Sequence, residues 1–266
     1  LLLICTGLTS AKWGRKKNVF VQIETPYGAM KAKLYNETPL HKQNFAGLVK
    51  DHFYDSLLFH RVIEDFMIQG GDPNSKNAVL GKMLGNGSHG EQLPAEILPQ
   101  LFHKRGAIAA ARDNNPEKKS SGCQFYIVQG RVFSEKDLDH MEQQRNFQTK
   151  QKLLTNYLKS NESLSDQIQL DKLQQQRNVA ALNHYCDSLV DLLIERHPEV
   201  SLFKFTSEQR HIYTTIGGAP HLDGEYTVFG EIVDGLNIID SIAAVETDDN
   251  NRPLNNIVMK IKIVKK

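Results

Sequence analysis

Cysteine is scarce in this chain. Cys5, Cys123 and Cys186 are spread over 266 residues, too few and too far apart for a disulfide framework. Cys123 sits in an apolar pattern and reads as a small buried residue; a Cys123–Cys186 pair stays open. An excess of charge of one sign is also missing. The net charge is +1, and the basic clusters are Arg15-Lys16-Lys17 and Lys265-Lys266, so there is no electrostatic footprint for nucleic acid. The apolar stretch Leu1 to Leu8 is far too short to span a bilayer. His184 and Cys186 stand two apart in a helical pattern and point in different directions, with no second ligand pair at zinc spacing. No strained G-x-S-x-G turn supports a serine hydrolase. Gly85-Asn86-Gly87-Ser88-His89-Gly90 matches G-x-G-x-x-G literally, but Leu93-Pro94 follows it instead of an apolar helical run. It reads as a flexible loop at the rim of a groove. No metal and no cofactor is expected.

What is there is the balance of an ordinary globular chain, 40% hydrophobic and 24% charged. Leu1 to Leu8 followed by Thr9-Ser10-Ala11 looks like the end of a signal peptide with its cleavage site, the charged region upstream trimmed. Residues 1–17 are therefore expected to be a signal remnant and linker on an exported, periplasmic protein. A buried N-terminal strand is the alternative. A lipid anchor through Cys5 is another, with Ile4 a poor fit to the small residue such sites prefer. Val19 to Glu24 and Met30 to Tyr35 alternate like strands. Thr38-Pro39 reads as a helix start, an N-cap acceptor followed by proline, and Phe45, Leu48 and Val49 give that helix an apolar face. Ala107 to Ala111, Gln124 to Val128 and Thr227 to Ile232 read as strands, and Leu236 to Ala244 as a short helix. Ile257, Met259, Ile261 and Ile263 place one face of a closing strand inward. Many short strands with two helices predict a closed barrel covered at its ends.

Between residues 133 and 209 the texture changes: glutamine and lysine rise, glycine vanishes, and apolar residues recur at helical spacing. Ser134 and Asp137 form a capping-box pattern. Leu138 to Leu158 fits one helix or two broken ones, Asn161 to Ser165 a turn, and Ile168 to Leu193 a second long helix stopped at His197-Pro198. A helical hairpin inserted into the barrel sequence is expected. It acts either as a stabilising appendage or as an arm that binds a protein partner or holds the substrate.

The densest information lies in Phe59-His60-Arg61-Val62-Ile63-Glu64-Asp65-Phe66-Met67-Ile68-Gln69-Gly70-Gly71-Asp72. It reads as strand, tight turn, strand. With Glu64-Asp65-Phe66 as the loop, Ile63 pairs with Met67 and Arg61 lies opposite Gln69 on one face. That makes an apolar floor with two polar groups aimed over it, suited to an apolar ring beside a carbonyl, as in a peptidyl proline. The plainer reading is core with a snorkelling cation. Gly122-Cys123-Gln124-Phe125-Tyr126-Ile127-Val128 and His221-Leu222-Asp223-Gly224-Glu225-Tyr226-Thr227-Val228-Phe229-Gly230 follow in order.

With these three blocks, over roughly residues 18 to 130 and 211 to 266, the chain resembles the cyclophilins, and bacterial-type members more closely than others. The resemblance implies a mainly β fold: a closed eight-stranded antiparallel barrel from 18–132 and 210–266, capped by two helices, with 133–209 inserted. It implies peptidyl-prolyl cis-trans isomerisation during protein folding, on proline-containing segments of unfolded or flexible proteins. The alternative is a non-catalytic or chaperone-like module that holds proline peptides while the insert recruits a client. Arg61 would be the catalytic arginine and Gln69 would orient it and hold the substrate backbone. Phe66, Met67, Tyr126 and Leu222 would line the proline pocket, and Ala111, Arg112 and Gln124 the peptide groove. His221 stands where many members carry tryptophan, which implies weaker binding of cyclosporin-type inhibitors. Tyr226 replaces a frequent histidine. Tyr126 replaces phenylalanine and brings a hydroxyl that needs a partner.

Overall fold

The computed structural model describes residues 18–266; the signal-peptide and Cys5 readings lie outside the described residues. The described chain forms two compact units. One runs up to Arg131 and resumes over Ile216–Lys266; the other is Val132–Thr215.

The first unit is built on eight strands: β1 (Val19–Thr25), β2 (Gly28–Leu34), β3 (Leu57–Ile63), β4 (Met67–Gly70), β5 (Ala107–Ala110), β6 (Phe125–Val128), β7 (Val228–Asp234) and β8 (Val258–Val264). They close in the order β1-β2-β7-β5-β6-β4-β3-β8, every neighbouring pair antiparallel. Closure leaves no unpaired edge. Because side chains alternate along a strand, β5, β6 and β7 feed two apolar clusters, one from each face. Phe125 and Ile127 of β6 join Val21, Ile23, Met30, Leu34 and Ile261 in the barrel core, while Tyr126 and Val128 join Met67, Ala107 and Ala109 in a second cluster. Helices α1 (Pro39–Lys50) and α6 (Leu236–Ala243) add Phe45, Val49, Ile239 and Ile242 to the core. Ile257, Met259 and Ile261 point inward as their alternation requires, but Ile263 is exposed because β8 has there run past the packed core.

Helix α1 begins at Pro39, yet Thr38 does not cap it with its side chain. The Thr38 hydroxyl is buried without a partner. The Glu96 carboxylate does the capping instead, accepting from the backbone N–H groups of Leu40 (3.1 Å) and His41 (3.0 Å). An anion at a helix N-terminus satisfies orphan donors and complements the dipole.

The second unit holds four helices: α2 (Glu135–Leu158), α3 (Leu164–Gln175), α4 (Val179–Arg196) and α5 (Ser207–Thr215). The expected second long helix is broken in two, because Arg177 takes a left-handed conformation (φ 54°) and Asn178 then caps α4 by accepting from the Ala181 N–H. The hairpin is therefore a bundle, and α5 extends it past the expected limit at 209. The capping box at the start of α2 is complete, Ser134 accepting from the Asp137 N–H at 3.1 Å and Asp137 accepting from the Ser134 N–H at 2.9 Å. Leu154 of α2 packs on Leu189, Val190 and Leu193 of α4. Asp166 of α3 accepts hydrogen bonds from the Tyr157 and Tyr185 hydroxyls at 2.5 and 2.6 Å. No described helix is long and apolar enough to cross a membrane. Cys123 and Cys186 are both free thiols.

Candidate active site

The β3–β4 hairpin has the register expected of it: Ile63 faces Met67, Val62 faces Ile68 and Arg61 faces Gln69. Asp65 supplies the positive φ (60°) that a tight connection needs. The turn is anchored by the two residues that follow β6. Gln129 Oε1 accepts from the Asp65 N–H at 2.7 Å, and the Phe66 carbonyl accepts from the N–H groups of both Gln129 and Gly130 at 3.0 Å. Those bonds fix the Phe66 backbone, and hence the ring it carries.

Cross-strand pairing then sets a row of side chains. Arg61 is opposite Gln69, Gln69 opposite Tyr126, and Tyr126 opposite Ala109. Met67 is two residues from Gln69 and shares its face. Phe66, Leu222, Tyr226 and Ala111 pack against this second apolar cluster. Together Arg61, Phe66, Met67, Gln69, Ala111, Arg112, Tyr126, Leu222 and Tyr226 border one cleft of about 270 Å3. Phe66, Met67 and Leu222 thus border the cleft as part of the second cluster, outside the main barrel core.

A polar chain runs along one edge of the cleft. An Arg61 Nη donates to Gln69 Oε1 (3.2 Å), Gln69 Nε2 donates to Gln124 Oε1 (3.1 Å), and Gln124 Nε2 donates to the carbonyls of Gly85 (2.8 Å) and Gly87 (2.7 Å). Arg61 has no carboxylate within 4.0 Å among the described residues, so its charge is uncompensated and aimed by Gln69. The Gly85–Gly90 loop is a rim, as its composition suggests. A Cβ at Gly87 would sit 1.9 Å from Asp72 Oδ1, so only glycine allows this approach.

Three placements sharpen the expectations. Ala111 spends its own backbone, its N–H donating to Gln124 O (3.0 Å) and its carbonyl accepting from the Ser121 N–H (2.8 Å). The backbone N–H and carbonyl of Arg112 carry no such bonds and are the pair left for a ligand. The Arg112 side chain is folded away, donating to Glu225 O (3.0 Å) and Glu225 Oε2 (3.1 Å) with its guanidinium 4.8 Å above the Tyr226 ring. His221 is exposed and tilts against Phe66 (ring centroids 5.2 Å apart), bracing the pocket from outside the cleft lining. Although the residue is exposed, its ring is partly desolvated by its neighbours, which lowers its pKa.

The Tyr126 hydroxyl finds its partner in a residue that sequence reading did not single out. His103 is fully buried, its Nε2 3.0 Å from the Tyr126 hydroxyl and its Nδ1 2.9 Å from Asp223 Oδ1. A carboxylate only accepts, so Nδ1 carries a proton, and in that tautomer Nε2 accepts from the phenol. Burial raises the Tyr126 pKa well above the ordinary phenol value and keeps that proton in place. His60, 3% exposed, also borders the cleft; neither ring nitrogen has a hydrogen-bond partner, and burial lowers its pKa to about 4 against the pull of nearby Asp72. Lys82, Met83, Asp248, Asn250 and Arg252 extend the cleft beyond Arg61. They come from two distant loops, and no spacing in the chain announces them.

A closed antiparallel barrel bearing an apolar cleft under one aimed guanidinium is the architecture of a cyclophilin-like protein. Residues 20–152 and 204–264 match the family model of the cyclophilin type peptidyl-prolyl cis-trans isomerases. A Staphylococcus aureus protein named as a peptidyl-prolyl cis-trans isomerase is 27% identical over 241 residues, 90% of this chain and 88% of that protein. A Streptococcus pyogenes protein named as a bifunctional phosphatase/peptidyl-prolyl cis-trans isomerase is 28% identical over 243 residues, 90% of this chain; the chain spans 37% of that longer protein. The crystal structure of a Cryptosporidium parvum cyclophilin type isomerase matches with a TM-score of 0.56 at 20% identity, covering 94% of this chain and 99% of that one. A second structure of it, obtained in the presence of the dipeptide Ala-Pro, gives 0.54. These structures bear on the fold. The chain belongs to the cyclophilin-type peptidyl-prolyl cis-trans isomerase family.

Proposed function

We propose that the cleft accelerates rotation about X-Pro bonds in extended segments of proline-containing proteins, with Arg61 as the catalytic residue and Gln69 as the residue that positions it. The uncatalysed barrier is roughly 18–20 kcal/mol because the nitrogen lone pair is delocalised into the carbonyl. Twisting the bond returns that lone pair to a pyramidal nitrogen. A guanidinium held in place beforehand interacts more strongly with the twisted imide than with the planar one, and such differential stabilisation is catalysis. Phe66, Met67, Tyr126 and Leu222 grip the ring, and the Arg112 amide and carbonyl hold the preceding backbone. The observation that carries this reading is the uncompensated Arg61 charge, tethered only by Gln69 at 3.2 Å at the edge of that apolar pocket.

Exchange spectroscopy or a protease-coupled assay on a short X-Pro peptide tests it. Arg61→Ala is expected to lower kcat/KM by about 100-fold or more, as loss of one preorganised donor does elsewhere, while leaving the fold intact. Equal rates for Arg61→Ala and wild type overturn it.

The helical unit supports an added reading, client recruitment. Phe147, Leu164, Ile168 and Val179 are all more than 60% exposed on it. Arg131 and Gly218 exchange two backbone hydrogen bonds where that segment leaves and rejoins the barrel chain. Replacing Val132–Thr215 by a short link therefore separates the roles; client binding unchanged by the excision refutes recruitment. An exported, periplasmic location is our inference from Leu1–Leu8 and Thr9-Ser10-Ala11, and recovery of the chain with cytoplasmic markers on cell fractionation refutes it.

A further inference from the structure

We propose that the far end of the cleft, where Lys82 and Arg252 stand beyond Arg61, is a subsite for a carboxylate side chain on the residue that follows the proline. This deepens, and rests on, the isomerase reading of the same cleft.

The whole chain is nearly neutral at +1, yet the cleft is bordered by four cations, Arg61, Lys82, Arg112 and Arg252, against one carboxylate, Asp248. Arg112 is neutralised by Glu225, and Arg61 serves the imide. Two cations are left at one end. Arg252 is 4% exposed, and buried arginines are ordinarily paired. It has no carboxylate within 4.0 Å among the described residues. One Nη donates to the Lys82 carbonyl and the other to Asn256 Oδ1 (3.0 Å), which uses two of its five N–H donors. Both partners are neutral, so the positive charge is oriented but not cancelled. Lys82 donates only a long bond of 3.5 Å, to the Asn74 carbonyl. Asp248 does not cancel this pair. Its Oδ1 accepts from the backbone N–H groups of Asn250 (2.8 Å) and Arg252 (3.0 Å), holding the turn that presents the Arg252 side chain.

Direction follows from the groove. In the proposed pose the residue before the proline pairs with the Arg112 backbone and the ring sits among Phe66, Met67, Tyr126 and Leu222, under Arg61. The next residue, about 3.3 Å further along an extended chain, enters the Lys82–Arg252 end. A glutamate or aspartate there meets two donors of opposite charge, and a lysine meets repulsion.

The test uses the full chain and three peptides that differ only after the proline: Ala-Ala-Pro-Glu, Ala-Ala-Pro-Gln and Ala-Ala-Pro-Lys, amidated at the C-terminus. The expected order of kcat/KM is Glu above Gln above Lys, with about a twofold to fivefold step for a partly screened ion pair. The steps shrink at high salt. Arg252 is buried and its replacement perturbs the turn, so the decisive variant is Lys82→Glu, whose side chain is exposed; it is expected to reverse the order. Equal values for the three peptides, or an order unmoved by Lys82→Glu, overturn the proposal while leaving the isomerase reading standing. Failure to turn over any of the three, the neutral one included, overturns both.

Discussion

The barrel and the helical unit solve the problem of burying apolar surface in opposite ways. The barrel closes its backbone hydrogen bonds in a ring and packs Ile23, Met30, Leu34, Ile108 and Ile127, all fully buried, inside it. The helical unit buries less, a seam of Leu154, Leu189, Val190 and Leu193 together with Phe133, Leu138, Phe205 and Tyr213, and α3 contributes no buried apolar residue at all. Helices with little buried surface owe little of their stability to packing. The difference teaches where rigidity is spent. Arg61, Met67, Gln69 and Tyr126 sit on strands, while the helical unit carries exposed apolar residues.

The comparison breaks first under a core truncation. Ile127→Ala in the barrel and Leu193→Ala in the helical unit each remove a buried branched side chain, with an expected cost of about 2–5 kcal/mol. Only the first should reach the isomerase, because Ile127 backs the strand that carries Tyr126. Hydrogen exchange should show Leu193→Ala opening α2 and α4 while β6 stays protected and X-Pro turnover is kept. Loss of turnover in Leu193→Ala would show that the two units are energetically one.

This contrast also decided what could be read from the chain alone. The β3–β4 register was legible because a two-residue period with a short polar loop fixes it: a slip by one would turn Met67 inward. The Ser134–Asp137 cap was legible because both partners are local. The Glu96 cap of α1, the Asp223–His103–Tyr126 connection and the Lys82–Arg252 end of the cleft were not, since their partners meet only after the barrel closes. Thr38 misled for the same reason: the local acceptor lost to a distant carboxylate. In the helical unit the apolar period runs on through Arg177-Asn178, and only a left-handed residue reveals the break.

Acid titration sharpens the comparison next. His60 is depressed to about 4 by burial, against an ordinary value of 6.5. Between those values the unfolded chain binds a proton that the folded barrel refuses, so stability rises with pH across that window and is lost as pH falls from about 6.5 towards 4. The full shift corresponds to a loss on the order of 3 kcal/mol. Denaturant titrations at pH 7 and pH 4.5 should place the loss in the barrel transition, and His60→Gln should flatten it. An unchanged pH dependence in that variant would assign the acid sensitivity to other groups.

The smallest effect belongs to the helical unit and should stay there. Ser134→Ala removes the hydroxyl that accepts from the Asp137 N–H and leaves that donor to water at the exposed start of α2. Loss of such a cap costs about 0.5–2 kcal/mol. Because α2 carries the Leu154 side of the seam, faster hydrogen exchange is expected in its first turns and, weakly, across α4. The strands that carry Arg61 and Gln69 should not change. If β3 and β4 exchange faster as well, local fraying is being transmitted into the sheet, and the division between a rigid catalytic barrel and a loosely held helical unit is wrong at its boundary.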